Sequence, residues 1–419
     1  MASPIKRILA SDWTPVLLVW SCLVVLPVGR LVEAPTLIMA ISGAILLWRH
    51  GRQLAWEGGG RLFTMLFLCI WLPTLLSLPG AVNPERTVSI LASFPRLYLA
   101  GLFIIWTINS QIRRERLLIL CAALIAFWLI DGLIQAFRGV DLFGFQSPTG
   151  RLNALYGEKH IDFGPALATL SPLLLEPIRR RGPWWLTALV FMGLTSVVFL
   201  AGSRGGWISF ALASLVLFML HARQIKLPIW KAAMVALVLV AIPLGTLLAI
   251  KSDAYSRVDV SLKAFQGNHQ SLNEATSGRM DIWGTSLRMI ADNPVNGVGV
   301  RGYRHAYPDY ALAGDPFVDP VKNTGAFYSH QLLLDVTSGA GLIGLAGLIV
   351  FYAILIKAPL RVTPMALYAS LPFLLAAWAW LFPFNSHPNF YSSQWSQLIW
   401  WLLALACAPL GEERRMESA

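Results

Sequence analysis

Long apolar runs recur along the chain, separated by short polar stretches. Each run is close to the roughly 17 to 25 residues that an α-helix needs to cross a bilayer. Unbroken runs of this length are typical of transmembrane helices. The pattern predicts an all-α polytopic membrane protein with about twelve transmembrane helices. The runs lie near residues 14–29, 31–48, 62–82, 87–108, 117–137, 161–177, 184–201, 205–221, 229–250, 331–356, 363–384 and 393–410.

The pattern changes between residues 251 and 330, where polar and turn-forming residues replace the apolar runs. This region alone is long enough to fold outside the membrane, and we expect a small helical cap over the bundle. A second external connection, residues 138–160, is shorter and mixes polar with aromatic residues. We therefore divide the chain into helices one to nine (1–250), a cap loop (251–329), helices ten to twelve (330–410) and a tail (411–419).

The charge distribution agrees with this organisation. The chain is 56% hydrophobic and only 13% charged, against about 25% charged residues in soluble domains. The net charge of +11 does not indicate nucleic-acid binding, because Lys and Arg concentrate in the loops on one side of the predicted bundle. This positive-inside pattern predicts cytoplasmic termini and an external cap. The basic residues in the short external loops are Arg30, Arg86 and Arg204.

The sequence offers little support for cysteine, metal or nucleotide chemistry. All four cysteines lie within apolar runs, so we predict neither a disulfide framework nor a cysteine zinc site. No closely spaced Asp/Glu pair in the cap suggests a metal site, and we expect no cofactor. "GVGVRG" at 297–302 has the spacing of a dinucleotide-binding loop but lacks the surrounding βαβ unit. We expect a tight turn that uses flexible glycines.

The stretch "AGSRGG", residues 201–206, forms a short external connection between the seventh and eighth runs. Arg204 stands on the side where short loops avoid cations, and the glycines would let a ligand approach the backbone. We interpret Arg204 as a binding residue, with a snorkelling interfacial arginine as the alternative.

The stretch "SGRMDIWGTSLRMIADNP", residues 277–294, predicts a short amphipathic helix in the cap. We expect Ser277 to be its N-cap, which would place Arg279 in the first turn. A guanidinium there would add a bidentate clamp to a helix end that already favours anions. A solvated surface arginine is the alternative. The expected apolar face consists of Met280, Trp283, Leu287 and Ile290.

His330 precedes the tenth run and would lie near the bilayer surface, level with Arg204. Imidazole is the side chain most easily switched between proton acceptor and donor near neutral pH. A structural interfacial histidine is the alternative. Asp335 lies about 140° further around a helix, so we expect it to pair elsewhere in the bundle.

Together, Arg204, Arg279 and His330 converge on the external membrane face. Two permanent cations and one titratable imidazole suit a substrate with a diphosphate and a hydroxyl to be activated. The arginines would stabilise a departing diphosphate without a metal. We therefore predict glycosyl transfer from a lipid diphosphate.

At this point the chain resembles a known family. "GSRGG", "SGRMDIW", "NPVNGVGVRGY" and "SHQLLLDVTSGAGLIGL", in this order around a large external loop, are similar to motifs of the O-antigen ligase and polymerase superfamily. The resemblance covers roughly residues 180–360 and implies a fold like that of class C glycosyltransferases. It implies an enzyme of the bacterial inner membrane with a periplasmic active site.

The family's activity is the metal-independent, inverting transfer of O-antigen from undecaprenyl diphosphate to lipid A–core. By resemblance, Arg204 and Arg279 match the diphosphate-contacting arginines, and His330 matches the base. Donor, acceptor and membrane lipids would be the partners, without nucleic acid. Gln331 departs from the family, which commonly has Asn after the His.

Other polar residues suggest weaker roles. Arg301, Arg304 and Lys322 are candidates for binding sugars or phosphates of the acceptor, with surface charge as the alternative. His387 lies in the last external loop and is a candidate for the acceptor side. Arg96 and Asp131 fall within apolar runs, where charges are costly, and we expect them to form an ion pair.

Three further functions fit parts of the pattern. An O-antigen polymerase would use the same donor, and a protein O-oligosaccharyltransferase would use a Ser or Thr acceptor. The latter usually carries a larger external C-terminal portion than the nine residues expected after the last run. A glycolipid transporter should have ionisable groups through the membrane midplane and often repeated halves.

Overall fold

The computed structural model describes residues 12–147, 150–157, 162–250, 259–260, 268–386 and 390–411. Helices dominate these residues, which contain no β-strand, only isolated bridges such as Val140–Gln146. The prediction of an all-α fold is therefore confirmed. The helices are α1 (Thr14–Val24), α2 (Glu33–His50), α3 (Gly58–Leu76), α4 (Pro84–Thr107), α5 (Gln111–Arg138), α6 (Phe163–Arg181), α7 (Trp184–Leu200), α8 (Arg204–Gln224), α9 (Ile229–Ile250), α10 (His269–Ala275), α11 (Arg279–Asp292), α12 (Tyr303–Tyr310), α13 (Leu332–Lys357), α14 (Pro364–Trp380) and α15 (Ser393–Cys407).

Each of the predicted apolar runs contains one of these helices, α1 to α9 and α13 to α15. Among the residues described, six helical segments are long and apolar enough to cross a membrane by length and composition. The chain is therefore a multi-pass membrane protein, and the total of twelve spans stays a prediction. The six segments are Leu26–His50, Gly58–Gly80, Pro84–Thr107, Gln111–Arg138, Arg204–Gln224 and Leu332–Arg361.

Local sequence signals begin several of these helices. Asn83 precedes Pro84, and its Oδ1 accepts a hydrogen bond from the Arg86 amide at 3.2 Å. Ser203 caps α8 in the same way through the Gly206 amide, also at 3.2 Å. Side chains of this kind satisfy amide groups that a helix start leaves free. The cap at Ser203 places Arg204 in the first turn of α8.

The centre of the bundle is α6, in which every residue from Phe163 to Pro177 is buried. It packs against α5, α7, α8 and α14. Near its end the buried Glu176 carboxylate pairs with Arg179 at 2.6 Å and with Arg180 at 2.8 Å. The pairing allows an acidic group to lie inside the bundle, because two guanidinium groups compensate the charge of the carboxylate locally.

The expected ion pair between Arg96 and Asp131 is wrong. Arg96 instead pairs with Glu33, with Nη2 and Nε lying 2.9 and 3.1 Å from the carboxylate oxygens. Asp131 accepts a hydrogen bond from the Leu142 amide at 2.9 Å. The physical reason is the packing order: α4, which carries Arg96, packs chiefly on α2, whereas α5 packs chiefly on α6.

Helix α13 is broken at Gly341, where φ is +62°. The loop before α12 fills the break: the Leu342 amide donates to the Pro294 carbonyl at 2.7 Å and the Val298 amide donates to the Ser338 carbonyl at 2.9 Å. Gly297 and Gly299 have φ values of +68° and +87°, which confirms a glycine turn here. Backbone groups freed by a break inside a bundle need such partners.

We expect Gly341→Ala to destabilise the protein. Its new Cβ would lie 2.2 Å from the Val295 carbonyl oxygen, and the left-handed backbone adds strain of about 1–3 kcal/mol. The midpoint of thermal unfolding in detergent should fall. Gly245→Ala is the matched control, because a Cβ there meets no atom within 4 Å. An unchanged midpoint in Gly341→Ala would contradict this account of the break.

Candidate active site

The cap contributes three short helices and a small apolar core of its own. Helices α11 and α12 pack on each other through Ile282, Met289, Tyr303 and Tyr307, all of which are buried. The Ser286 hydroxyl pairs with the Tyr303 hydroxyl at 2.8 Å inside this core. Polar groups can be buried here because they bond to one another.

The helix predicted near 277–294 is present as α11, but its N-cap and its buried face differ from the prediction. Gly278, at φ +80°, takes the N-cap position in place of Ser277. Asn273 of α10 instead supports the start of α11, since its Oδ1 accepts from the Met280 amide at 3.2 Å. Arg279 does lie in the first turn, as expected.

The buried face of α11 also differs from the expected one. Its buried residues are Ile282, Thr285, Ser286 and Met289, whereas Leu287 is 58% exposed. The spacing of apolar residues predicts the wrong buried face because Thr285 and Ser286, which are polar, are hydrogen-bonded and buried in the cap core. Trp283 lies beside this face, and its Nε1 donates to the Ser329 carbonyl at 3.0 Å.

Arg204 joins the bundle to the cap. It is half-buried, and its Nη1 donates to the Ala275 carbonyl at the end of α10 and to the Ser277 hydroxyl, 3.5 Å away. A cation at a helix C-terminus satisfies carbonyls that the helix leaves free. Arg204 thus lies next to the turn that leads into Arg279.

The structure brings Arg204, Arg279 and His330 together. Arg279 is half-buried, and burial lowers the pKa of its guanidinium, opposed by Tyr328 and reinforced by the charge of Arg204. The charge of Arg279 in turn lowers the pKa of His330. Arg151, from the loop after α5, adds its charge next to Arg204. The result is a concentration of positive charge around one imidazole.

His330 is held neutral by this environment. Burial and the charge of Arg279 lower its pKa to about 4, against the opposing effect of a hydrogen bond to the Ser386 backbone. Both effects disfavour an added positive charge. The imidazole also packs on Tyr328, with ring centroids 4.0 Å apart.

His330 lies on a strained backbone, with φ at +53°. Several bonds fix it: the Ser329 hydroxyl donates to the Gln331 carbonyl at 2.8 Å, and Asp335 accepts from the Ser329 amide. Gln331 caps α13 and donates to the Pro383 carbonyl at 3.1 Å. Strain of this kind persists only where the surroundings hold it, and it concentrates at functional sites.

Asp335, whose partner the sequence left open, lies beneath this strained segment and close to the charge of Arg301. Both line a small pocket together with Tyr328 and Ser392. Asp335 is thus linked to the His330 segment through the Ser329 amide and to Arg301 through its charge. The remaining lining residues are Val300, Tyr303, Phe327, Gly339 and Tyr391.

Sequence reasoning missed Arg151 and Tyr328 and treated Trp283 only as an apolar residue. Arg151 lies in an irregular loop, where no periodic signal marks it. Tyr328 is two residues before His330, so only the fold shows that its ring meets the imidazole.

The other candidates lie apart or outside the described part of the chain. Lys322 is 71% exposed and pairs with Asp319 at 3.5 Å, which favours surface charge. His387 falls outside the described residues. Among the residues that the structure covers, no group of three His, Cys, Asp or Glu side chains is placed to hold a metal ion.

Comparison with known proteins finds a family match for part of the chain. Residues 188–349, which contain Arg204, Arg279 and His330, match the family model Wzy_C, described as O-antigen ligase. The chain carries an O-antigen ligase family domain. The resemblance seen in the sequence is thereby confirmed, and the family implies lipid-linked polysaccharide substrates. A search of curated proteins finds no match to this chain.

Trp283→Phe tests how the His330 segment is held in this O-antigen ligase family domain. The variant keeps an aromatic ring but loses the bond to Ser329, which contributes about 1 kcal/mol. Amide hydrogen exchange in residues 328–334 should accelerate by about fivefold. Trp71→Phe is the matched control, because it removes an equivalent hydrogen bond, from Trp71 in α3 to the Leu91 carbonyl in α4. Equal exchange in the two variants would contradict a holding role for Trp283.

Proposed function

We propose that this protein is an O-antigen ligase that transfers O-antigen polysaccharide from undecaprenyl diphosphate to lipid A–core. One observation carries the proposal: two arginines and a neutral histidine meet within the O-antigen ligase family domain. Members of this family are glycosyltransferase-like enzymes. The finer assignment of donor and acceptor rests on the chemistry of these three side chains.

In this proposal Arg204 and Arg279 bind the diphosphate of the donor. Their charges repel in the free protein, and an anion with two phosphates relieves that repulsion. Guanidinium groups donate two parallel hydrogen bonds to phosphate oxygens and keep their charge. As the glycosidic bond breaks, negative charge grows on the leaving diphosphate, where these donors stabilise it.

His330 acts as the general base. An acceptor hydroxyl oxygen attacks the anomeric carbon, the bond from that carbon to the diphosphate breaks, and the hydroxyl proton moves to the imidazole. Attack on the face opposite the diphosphate inverts the anomeric centre. Lipid diphosphate leaves as an anion, so no metal or added cofactor enters the scheme.

The proposed location follows from charge and hydropathy. Lys and Arg concentrate in the loops opposite the cap, which supports a cytoplasmic side there and a periplasmic site in the bacterial inner membrane. Residues 1–11 and 412–419, which hold the chain ends, lie outside the described residues.

The deciding experiment mixes purified protein with undecaprenyl diphosphate-linked O-antigen, with and without lipid A–core, and with chelator throughout. Polysaccharide should appear on lipid A–core only when that acceptor is present. Lengthening of the lipid-linked chain without lipid A–core would identify a polymerase instead. No turnover in either mixture would overturn the enzymatic proposal.

We expect His330→Ala to reduce transfer by about 10²–10⁴, the usual effect of a general base. Donor binding should remain near that of the unmodified protein, because the arginines are untouched. His221→Ala, at the other end of α8, is the matched control. Normal turnover in folded His330→Ala would remove the base assignment.

Arg204→Ala and Arg279→Ala should raise the donor KM by about 10- to 100-fold, the effect of losing hydrogen bonds to a charged group. The exposed Arg138 at the end of α5 provides the control Arg138→Ala. Because Arg204 also bonds to the cap, the thermal unfolding of each variant should be measured alongside. A donor KM that stays unchanged in Arg279→Ala would contradict the diphosphate assignment.

The pH profile tests the neutral state of His330. A base acts only when deprotonated, so kcat/KM, which reports the free protein, should stay level from about pH 8 to 5 and fall near pH 4. The fall in kcat should come at higher pH, because bound diphosphate favours the imidazolium. A fall of kcat/KM near pH 6.5, the ordinary histidine value, would contradict this account.

A further inference from the structure

Three more arginines lie near one another, and one of them, Arg301, lines the pocket that contains Tyr328 and Asp335. The charges of Arg86 and Arg304 both act on Arg301, and burial with these two neighbours lowers the pKa of Arg301, opposed by Asp335. Arg86 and Arg304 also act together on His305. The charges of Arg204 and Arg279 form a separate group, in which Arg204 acts on Arg279 and Arg279 acts on His330. We call Arg86, Arg301 and Arg304 the second arginine cluster.

The fold builds this cluster from distant parts of the sequence. The Val82 amide donates to the Val298 carbonyl at 2.9 Å, and the Thr87 hydroxyl donates to the Val300 carbonyl at 2.9 Å. The start of α4, which carries Arg86, is thereby fixed to the loop that ends in Arg301. Helix α12 begins two residues later and adds Arg304.

The cluster has little internal compensation. The ion pairs seen among the described residues include neither Arg86 nor Arg304, and the carboxylate that acts on Arg301 is that of Asp335. Arg304 stacks on Phe327, 4.2 Å from the ring centroid, and its buried Nε has no hydrogen-bond partner. Arg301 has φ at +67°, a strained conformation for a side chain of this size. Like charges held together in this way favour an anion.

The pocket connects the second arginine cluster to the proposed active site. Arg301 lines one part of it, and Tyr328, whose ring contacts His330, lines another. Ser392 also lines it, with a buried hydroxyl that has no hydrogen-bond partner. An anion at Arg301 would therefore lie in a pocket whose wall includes Tyr328, the residue that packs on His330.

We propose that the second arginine cluster binds a phosphate group on the sugar headgroup of the acceptor glycolipid. This inference rests on the proposed function, because an inverting transfer places acceptor and leaving diphosphate on opposite sides of the anomeric carbon. Arg204 and Arg279 occupy the leaving-group side, so anionic acceptor groups meet Arg86, Arg301 and Arg304. Lys322 belongs to neither group, since it is exposed and paired with Asp319.

The kinetic test uses the full-length protein with Arg301→Gln and Arg86→Gln, and Arg138→Gln as the matched loss of one charge. Acceptor KM should rise about tenfold in the first two variants, the effect of losing one hydrogen bond to a charged group. Donor KM should change by less than about twofold in all three. An equal rise in donor KM would place the cluster in the donor site, and an unchanged acceptor KM would overturn the proposal.

A binding test without donor separates this inference from the enzymatic one. Wild-type protein in nanodiscs should bind phosphorylated lipid A–core about tenfold more tightly than the dephosphorylated form, and Arg301→Gln should remove the difference. If the protein prefers the phosphorylated lipid but transfers no polysaccharide, the assignment of the cluster stands and the ligase proposal is overturned. If the protein transfers polysaccharide but binds both lipids equally, the ligase proposal stands and the assignment of the cluster is overturned. If inorganic phosphate displaces the lipid with an affinity equal to that of the lipid itself, the cluster is a site for free phosphate and the acceptor assignment is overturned.

Discussion

The insertion of residues 294–300 into the break of α13 is the constraint on which the site depends. The Leu342 and Val298 amides tie the loop to α13, and the Thr87 hydroxyl ties it to α4. The same contacts fix where Arg301 emerges and how the first turn of α13 presents Asp335 beneath His330. Arg301 is thereby held against the pocket that also contains Tyr328 and Asp335, by backbone and side-chain hydrogen bonds between helices.

The sequence predicts the helices well because apolar length is a local property. Every predicted run holds a helix, and the glycine turn at Gly297 follows from residues that readily adopt positive φ. Partners across helices are different, because they depend on which helices pack together. Arg96 could be recognised as needing a carboxylate, yet nothing local distinguishes Glu33 from Asp131. The buried face of α11 was missed since Thr285 and Ser286 are buried through hydrogen bonds, which periodicity does not register.

The candidate site was only partly visible in the sequence. Arg204, Arg279 and His330 stand out by residue type and position, and in the structure Arg204 acts on Arg279 and Arg279 acts on His330. The neutral state of His330 could not be anticipated, because it follows from burial and from the distance to Arg279. The hydrogen bonds that fix Ser329 are made with Trp283, far away in the sequence, and with Asp335, in the first turn of α13. The positive charge and the neutral base are therefore properties of the assembled cap and bundle.

The buried position of α6 has a consequence for how the chain enters the membrane. Among the described residues, α6 is not one of the segments apolar enough to cross by composition, and it carries Glu176 beside Arg179 and Arg180. Lipid alone would solvate such a helix poorly, because polar groups at membrane depth need protein partners. The burial of α6 therefore depends on the helices that surround it, α5, α7, α8 and α14. Because α14 lies after the cap in the sequence, the surroundings of α6 are complete only once that helix has been synthesised.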